Sequence, residues 1–338
     1  MKSLEELEDR LSKPSDRLIK DVKKIEGDIM ILGVGGKMGP SMAKLATRAF
    51  KACGSDQKVI GVSRFSDPGQ REELDDYGIE TIAADLLNEE ELQALPEPGN
   101  VLYLVGKKFG TSGNEHLTWA MNAYLPGRVA EKFKNSNIVA FSSGNIYPFV
   151  PYGSGGATEQ TDPGPVGEYA QSCLGRERVF EHFSHRYDIP MLFFRLNYAV
   201  EMRYGNLLEI AKAVYQQEPI DLRNGHMNVI WQGDANEIAL RSLLHCKTPP
   251  KLLNVTGPET ISVRSVAHQF GRIFEQEPEF VNEEQPTSLL NNASHSHKLF
   301  GYPSVSLNQI IEWTAEWVQR DQKTIDKPTH FQVRSGKF

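Results

Sequence analysis

The chain is predicted to fold as an α/β protein, a doubly wound parallel sheet with a smaller C-terminal lobe. Three observations lead there. Short apolar runs of strand length recur at 28–33, 58–63, 79–83, 100–105, 137–142 and 190–195. Amphipathic stretches of helical length, such as 40–53, 115–134 and 168–186, lie between them. After about residue 197 this rhythm changes. Strand-helix alternation argues for a parallel sheet wrapped by helices on both faces, and ligands in such sheets bind at the carboxyl ends of the strands.

Taken in order, residues 1–27 form an N-terminal helical appendage, two short helices broken at Pro14, expected to pack on the domain or on a second subunit. Residues 28–197 form the main domain. The smaller lobe, 198–322, carries a strand-like Met227–Trp231, a helix at 234–246, a strand at 252–255 and a helix near 263–275. A Pro- and Glu-rich connector (276–287) and a last helix at 306–320 follow, and segments of this lobe can return to the main sheet. The tail 323–338 ends in an aromatic, and docks on the body or a partner, or frays. A chain of 338 residues can bury a sizeable core. Its net charge of −7, without a long basic run, argues against nucleic acid as a partner. The three cysteines (Cys53, Cys173, Cys246) are odd in number and show no metal-ligand pattern, which fits a reducing compartment. No apolar run approaches the ~20 residues of a membrane span, and the charged N-terminus has no signal-peptide core. The expected location is cytoplasmic, with no membrane partner.

The most informative stretch is Ile29-Met-Ile-Leu-Gly33-Val-Gly-Gly36-Lys37-Met38-Gly39, followed by a helical Pro40–Phe50. A dinucleotide's pyrophosphate needs a tight strand-to-helix turn without side chains in the way, and free N–H groups at a helix N-terminus. Gly33, Gly36, Lys37, Met38 and Gly39 are therefore candidate cofactor contacts, in a Rossmann-type arrangement. The second strand ends in Ser63-Arg64, where an NAD-preferring site would place a carboxylate on the ribose 2′-hydroxyl. A hydroxyl and a guanidinium suit a 2′-phosphate instead, so NADP is favoured over NAD, although a plain surface arginine would look the same. Asp85, with Leu86 beside it, follows the third strand and is placed either to accept the adenine amino group or to cap a helix. Gly106, after the fourth strand, and Tyr169, further along the chain, complete the candidate cofactor set.

Chemistry is expected near the ends of the fourth and fifth strands. Phe141-Ser-Ser143-Gly-Asn145-Ile-Tyr147 puts a hydroxyl pair at a strand end, and Tyr169-Ala-Gln-Ser-Cys173-Leu-Gly-Arg-Glu177 opens a helix. With the glycine triplet, these residues resemble an extended short-chain dehydrogenase/reductase of the NAD-dependent epimerase/dehydratase branch. Asn122, Arg195-Leu-Asn197-Tyr, Gly233-Asp234-Ala and Leu299-Phe-Gly301-Tyr-Pro303 extend the resemblance over about 28–320. It implies that Ser143 hydrogen-bonds the substrate oxygen. It implies too that Tyr169 moves its proton while hydride passes to or from the nicotinamide, as in an oxidoreductase, epimerase or dehydratase. The family's Tyr-x-x-x-Lys is here Tyr169-x-x-x-Cys173. In the family that lysine binds the nicotinamide ribose and lowers the tyrosine's pKa. Since a free tyrosine titrates near ~10, losing full activation costs roughly 4 kcal/mol of driving force for proton abstraction.

Replacements come from three sources. Lys107 and Lys108, after the fourth strand, are preferred, with Lys107 taken as catalytic and Lys108 as a substrate contact. Arg176 lies one turn beyond Cys173. The positive nicotinamide ring suffices for a substrate with an acidic C–H. Cys173 itself reads as a packing residue rather than a nucleophile, since no histidine accompanies it. The alternative to an enzyme is a non-catalytic NADP(H)-binding sensor or scaffold, and an open polar pocket with a lysine near Tyr169 would discriminate.

Relatives that act on nucleotide sugars hold the diphosphate with an arginine about seven residues before the Asp234-like aspartate; that position is Met227. Arg223 and His226 lie nearby. The expected substrate is therefore a carbohydrate-like small molecule, a sugar or sugar acid not held through a nucleotide diphosphate, with Asn145, Tyr198, His116 and Trp119 as candidate hydroxyl contacts and Arg223 as a candidate anion contact. Ser294-His-Ser-His297 lacks a nearby carboxylate, so no metal is expected. Gly153–Gly156 reads as a mobile loop and candidate lid. A homodimer is expected by analogy, through the helices holding Asn122 and Tyr169.

Overall fold

Apolar residues line both sides of each central strand, so helices must cover both faces of the sheet. The computed structural model, which describes residues 1–325 and 327–337, shows this arrangement. Seven strands, β1 (Ile29–Leu32), β2 (Val59–Ser63), β3 (Glu80–Ala83), β4 (Asn100–Tyr103), β5 (Asn137–Ser143), β6 (Met191–Leu196) and β7 (Lys251–Val255), form one sheet. Their spatial order is β7-β6-β5-β4-β1-β2-β3, and every pairing is parallel. Ile29, Ile31, Leu102, Val139 and Phe194 pack under helices Gly39–Cys53 and Gln232–Ser242. Met30, Leu32, Val101, Ile138 and Phe193 pack under helices Leu125–Lys132 and Gly167–Tyr187. Each such fully buried side chain contributes about 1.5–3 kcal/mol.

The N-terminal appendage forms helices Leu4–Ser12 and Asp16–Val22, capped by Ser3 and Ser15 on either side of Pro14. It packs on its own chain. Leu18 and Val22 join the sheet core, whereas Leu7 and Leu11 join a second core with Trp231, Phe270 and Trp317. The Met1 ammonium is 2.6 Å from the Glu316 carboxylate.

Two segments differ from expectation, a third takes a course the sequence left open, and a loop is anchored at its end. The helix expected over 115–134 is interrupted by a wider π turn at Ala120–Tyr124, which places Asn122 inward and fully buried. The strand expected over 227–231 is two separate pairs: Met227 lies antiparallel to Ile261, and Ile230–Trp231 parallel to Ala199–Val200. The 252–255 strand belongs to the main sheet as β7, because a chain leaving helix Gln232–Ser242 beneath the sheet emerges beside β6. The Gly153–Gly156 loop is tied where it ends, the Ala157 amide donating to the Leu290 carbonyl (2.8 Å) and its carbonyl accepting from Asn292 (2.8 Å). The tail docks on the body through its described residues; Phe338 lies outside them.

Candidate active site

The sheet order reverses at β1, with β2 and β3 on one side and β4 to β7 on the other. Loops leaving neighbouring strand ends diverge there and open a crevice. On its β1 wall, Gly33 adopts φ +86°, and its N–H donates to the Val62 carbonyl at 2.9 Å. A Cβ on Gly39 would lie 2.1 Å from the Val34 carbonyl oxygen, so only glycine lets the helix begin so close to the strand. No side chain caps that helix at Met38. Its first N–H groups, at the positive end of the dipole, are left for an anion. The turn thus fits a pyrophosphate.

Two cavities meet at Gly33, Gly36, Leu104 and Gly106. The outer one, about 400 Å³, is bounded by Ser63, Arg64, Asp85 and Leu86. Asp85 does not cap the next helix. Asn88 does, accepting from the Glu90 amide at 3.0 Å, while Asp85 accepts from the Leu87 amide at 3.1 Å. The inner cavity, about 420 Å³, is bounded by Lys37, Met38, Gly39, Lys108, Ser143, Asn145, Tyr169 and Tyr198.

Ser143 closes β5, and its hydroxyl accepts from the Asn145 amide at 3.1 Å. Tyr169 sits in the first turn of helix Gly167–Tyr187 and hydrogen-bonds both Ser143 and Cys173. Burial, with the Cys173 thiol adding to it, pushes the Tyr169 phenol far above its ordinary range, while Arg176 and Ser143 pull it down. Asn122 ties the parts together. Its amide donates to the Lys107 carbonyl (3.0 Å) and to Ser172 Oγ (2.9 Å), and its oxygen accepts from the Lys107 amide (2.8 Å) and Arg176 (2.9 Å). Arg176 reaches on to the Phe141 carbonyl at 2.7 Å. The loop after β4, the end of β5 and the tyrosine helix therefore hold one another in register.

These contacts place the candidate lysine replacements differently. Arg176 is spent on Phe141 and Asn122 and does not border the cavity, although its charge still favours the phenolate. Lys107 is corrected by its neighbour: its backbone is pinned by Asn122 and its side chain borders neither cavity. Side chains alternate along the extended loop, so Lys108 turns inward instead. Its ammonium lies 5.9 Å from the Tyr169 ring centre and donates to the Thr329 carbonyl at 3.2 Å. Burial lowers Lys108 to about 8. Lys37 is lowered to about 7 by burial and by the charges of Lys108 and Lys327, and stacks over Tyr204 at 3.0 Å.

Arg223 is a second correction. It is exposed, paired with Asp221 at 2.5 Å, and borders neither cavity. Of the candidate hydroxyl contacts, His116 and Trp119 also lie outside both; the Trp119 indole donates to Glu168 at 2.6 Å. Met227 is fully buried. Phe109, Tyr204, Asn206, Gln232 and Thr329 line the inner cavity without having been anticipated. Tyr204 and Asn206 follow closely on the Arg195-Leu-Asn197 signal, whereas Thr329 sits in a tail that carries no motif. His295 and His297 lie on helix Ser294–Phe300, and among the described residues no cluster of three or more His, Cys, Asp or Glu side chains could hold a metal.

A glycine turn at a sheet's switch point, with a serine–tyrosine pair across the crevice, defines a nucleotide-binding α/β enzyme site of the short-chain reductase kind. Residues 29–203, just over half of the chain, match the NAD dependent epimerase/dehydratase family, a family of enzymes, and the chain belongs to it. No curated protein matches it in sequence. Among solved structures it is similar to UDP-glucuronic acid 4-epimerase from Bacillus cereus in complex with NAD (17% identity, 88% of this chain and 100% of that one, TM-score 0.70). It is also similar to UDP-glucose 4-epimerase from Thermus thermophilus in complex with NAD (18%, 86% and 99%, TM-score 0.71). An epimerase from Methanothermobacter thermautotrophicus aligns over 90% of this chain and 96% of its own at 16% identity, TM-score 0.72. At these identities the likeness establishes the fold. No described helix is long and apolar enough to cross a membrane.

Proposed function

We propose that this chain is an NADP-dependent oxidoreductase, epimerase or dehydratase acting on a carbohydrate-like molecule that is not held through a nucleotide diphosphate. The observation that carries the reading is the inner cavity, which brings Ser143, Tyr169 and Lys108 together beside the glycine turn. The bound cofactor supplies a hydride acceptor or donor. Gly33, Gly36, Lys37, Met38 and Gly39 hold its pyrophosphate, and Gly106 leaves space beside it. Ser63 and Arg64 favour the 2′-phosphate of NADP, with NAD as the alternative, since no carboxylate ends β2. Asp85 and Leu86 face the adenine.

Ser143 donates to the substrate oxygen and orients it. Tyr169 takes or gives the proton on that oxygen, and the Lys108 ammonium above its ring favours the phenolate in place of the family lysine. Asn145 and Tyr198 contact hydroxyl groups. The sensor reading calls for a filled pocket; about 420 Å³ of space beside Tyr169 supports turnover. Exposed Leu117, Trp119 and Tyr124 on the segment that holds Asn122 support a homodimer through that face. The test is a titration with NADPH, NADP⁺, NADH and NAD⁺, followed by a panel of sugars and sugar acids, comparing the chain with Tyr169→Phe. The reading expects tight NADP(H) binding in both and turnover in the first alone. Turnover of no compound would favour the sensor, and failure to bind any dinucleotide would overturn both.

A further inference from the structure

The segment after Pro328 crosses the site rather than trailing from it. Thr329 is held at both its amide and its hydroxyl by the Glu209 carboxylate, the hydroxyl at 2.7 Å. The Phe331 ring is buried in the second core, and the Asn224 amide donates to the Phe331 carbonyl at 2.9 Å. Arg334 then donates to the Thr287 carbonyl (2.6 Å) and hydroxyl (2.7 Å) and lies 4.0 Å over the Phe149 ring. At the end of the path two glycines cross backbone to backbone. A Cβ on Gly167 would sit 2.4 Å from the Gly336 oxygen, and one on Gly336 would sit 2.2 Å from the Val166 oxygen. Both have positive φ, so the crossing is built for this pair.

This route spans from the second core to the start of the tyrosine helix, and Thr329 on it borders the inner cavity. Between the tail and Lys108, Asn145, Tyr147 and Tyr198 only about 20 Å³ remains, room for about one water. The inner cavity of about 420 Å³ must take the nicotinamide end of the cofactor as well as the substrate. We infer that Thr329–Gly336 is the outer wall of the substrate cleft. It limits the site to a compact, single-unit polyhydroxylated molecule and shuts out one extended by a nucleoside diphosphate. The inference rests on the dinucleotide reading above and adds to it the element that sets substrate length.

The test uses the NADP⁺-loaded full chain, Gly336→Val, and a chain stopped after Pro328. The valine forces the crossing apart without removing the anchors at Thr329 and Phe331, so it reports even if the shortened chain fails to fold. Binding of UDP-glucuronic acid and of glucuronic acid is followed by saturation-transfer NMR. The wall predicts no transfer to the uridine protons with the tail in place, and at least a tenfold gain in UDP-glucuronic acid binding when it is displaced. A full chain that binds UDP-glucuronic acid as well as the displaced forms would overturn the inference, as would displaced forms that still reject it. Failure of NADP⁺ to bind, seen in the loading step, would count against the dinucleotide reading instead.

Discussion

Replacing Lys108 by methionine tests whether the loop after β4 has taken over the work of the missing helix lysine. The ammonium stands 5.9 Å from the Tyr169 ring centre. At an effective dielectric of ~20, a charge pair ~6 Å apart is worth about 3 kcal/mol, or roughly a hundredfold in a step that forms the phenolate. Lys108→Met is therefore expected to lower kcat/KM about a hundredfold on whichever panel compound is turned over, with NADPH affinity within about threefold. Turnover by the parent should fall as pH rises through about 8, where Lys108 loses its proton, and that limb should vanish in the methionine variant. The stability control has the opposite sign. Because the folded pKa lies below the unfolded one, the unfolded chain binds more protons between them, and the penalty for the buried charge is fully present below about 8 and relieved as pH rises towards 10.5. A shift from 10.5 to about 8 bounds that penalty at about 3 kcal/mol, part of it offset by the bond to the Thr329 carbonyl. The variant should melt no lower than the parent at pH 7, so a lost rate cannot be blamed on unfolding. A kcat/KM within threefold of the parent, or an equal loss in Lys107→Met, would refute the assignment.

Three further outcomes follow from the same geometry. Arg64→Ala combined with Ser63→Asp should weaken NADPH binding by about ten- to a hundredfold, the worth of a charge-assisted contact, and bring NADH binding level with it in fluorescence titrations. Gly39→Ala must push the helix off the Val34 carbonyl; a loss of about 2–3 kcal/mol by denaturant melting is expected, together with loss of dinucleotide binding, and unchanged binding would show that the turn does not hold the pyrophosphate. Arg195→Met leaves the Glu177 carboxylate buried without its two bonds at 2.7 and 3.0 Å, and should cost about 3–5 kcal/mol, measured by urea unfolding at pH 7.

The main sheet was legible because its signals are local. Apolar runs bounded by turns mark β1 to β6, and a glycine triplet between strand and helix marks the crevice. Strand 252–255 was visible as a strand of the smaller lobe, and its return to this sheet was left open, since its neighbour β6 lies more than fifty residues away in sequence. Lys107 and Lys108 were equivalent in the sequence, where nothing fixes the phase of a loop. The Asn122 side chain settles it by gripping both the N–H and the C=O of Lys107, and only the buried position of Asn122 at the π turn makes that grip geometric. The tail was illegible for a different reason: its partners Glu209, Asn224 and Thr287 are scattered over the second lobe, and no periodicity encodes such contacts.

The substitution at position 173 becomes intelligible from its surroundings. Cys173 is fully buried in a small cluster with Ile146, Tyr147 and Ala157, and Arg176 lies one turn further along the same helix. A lysine there would bring a second cation into a dry site already holding one, and desolvation would penalise it heavily. Arg176 is fixed in that place because it joins β5 to Asn122, and Asn122 in turn sets the loop that points Lys108 at the tyrosine. The Lys108 ammonium instead comes to 5.9 Å from the Tyr169 ring centre out of the loop after β4, where it too is buried but the tail carbonyl of Thr329 gives it a fixed partner. On this reading the missing lysine, the paired lysines after β4 and the docked tail are parts of one rearrangement. Substrate length and tyrosine activation then depend on the same few residues around Lys108.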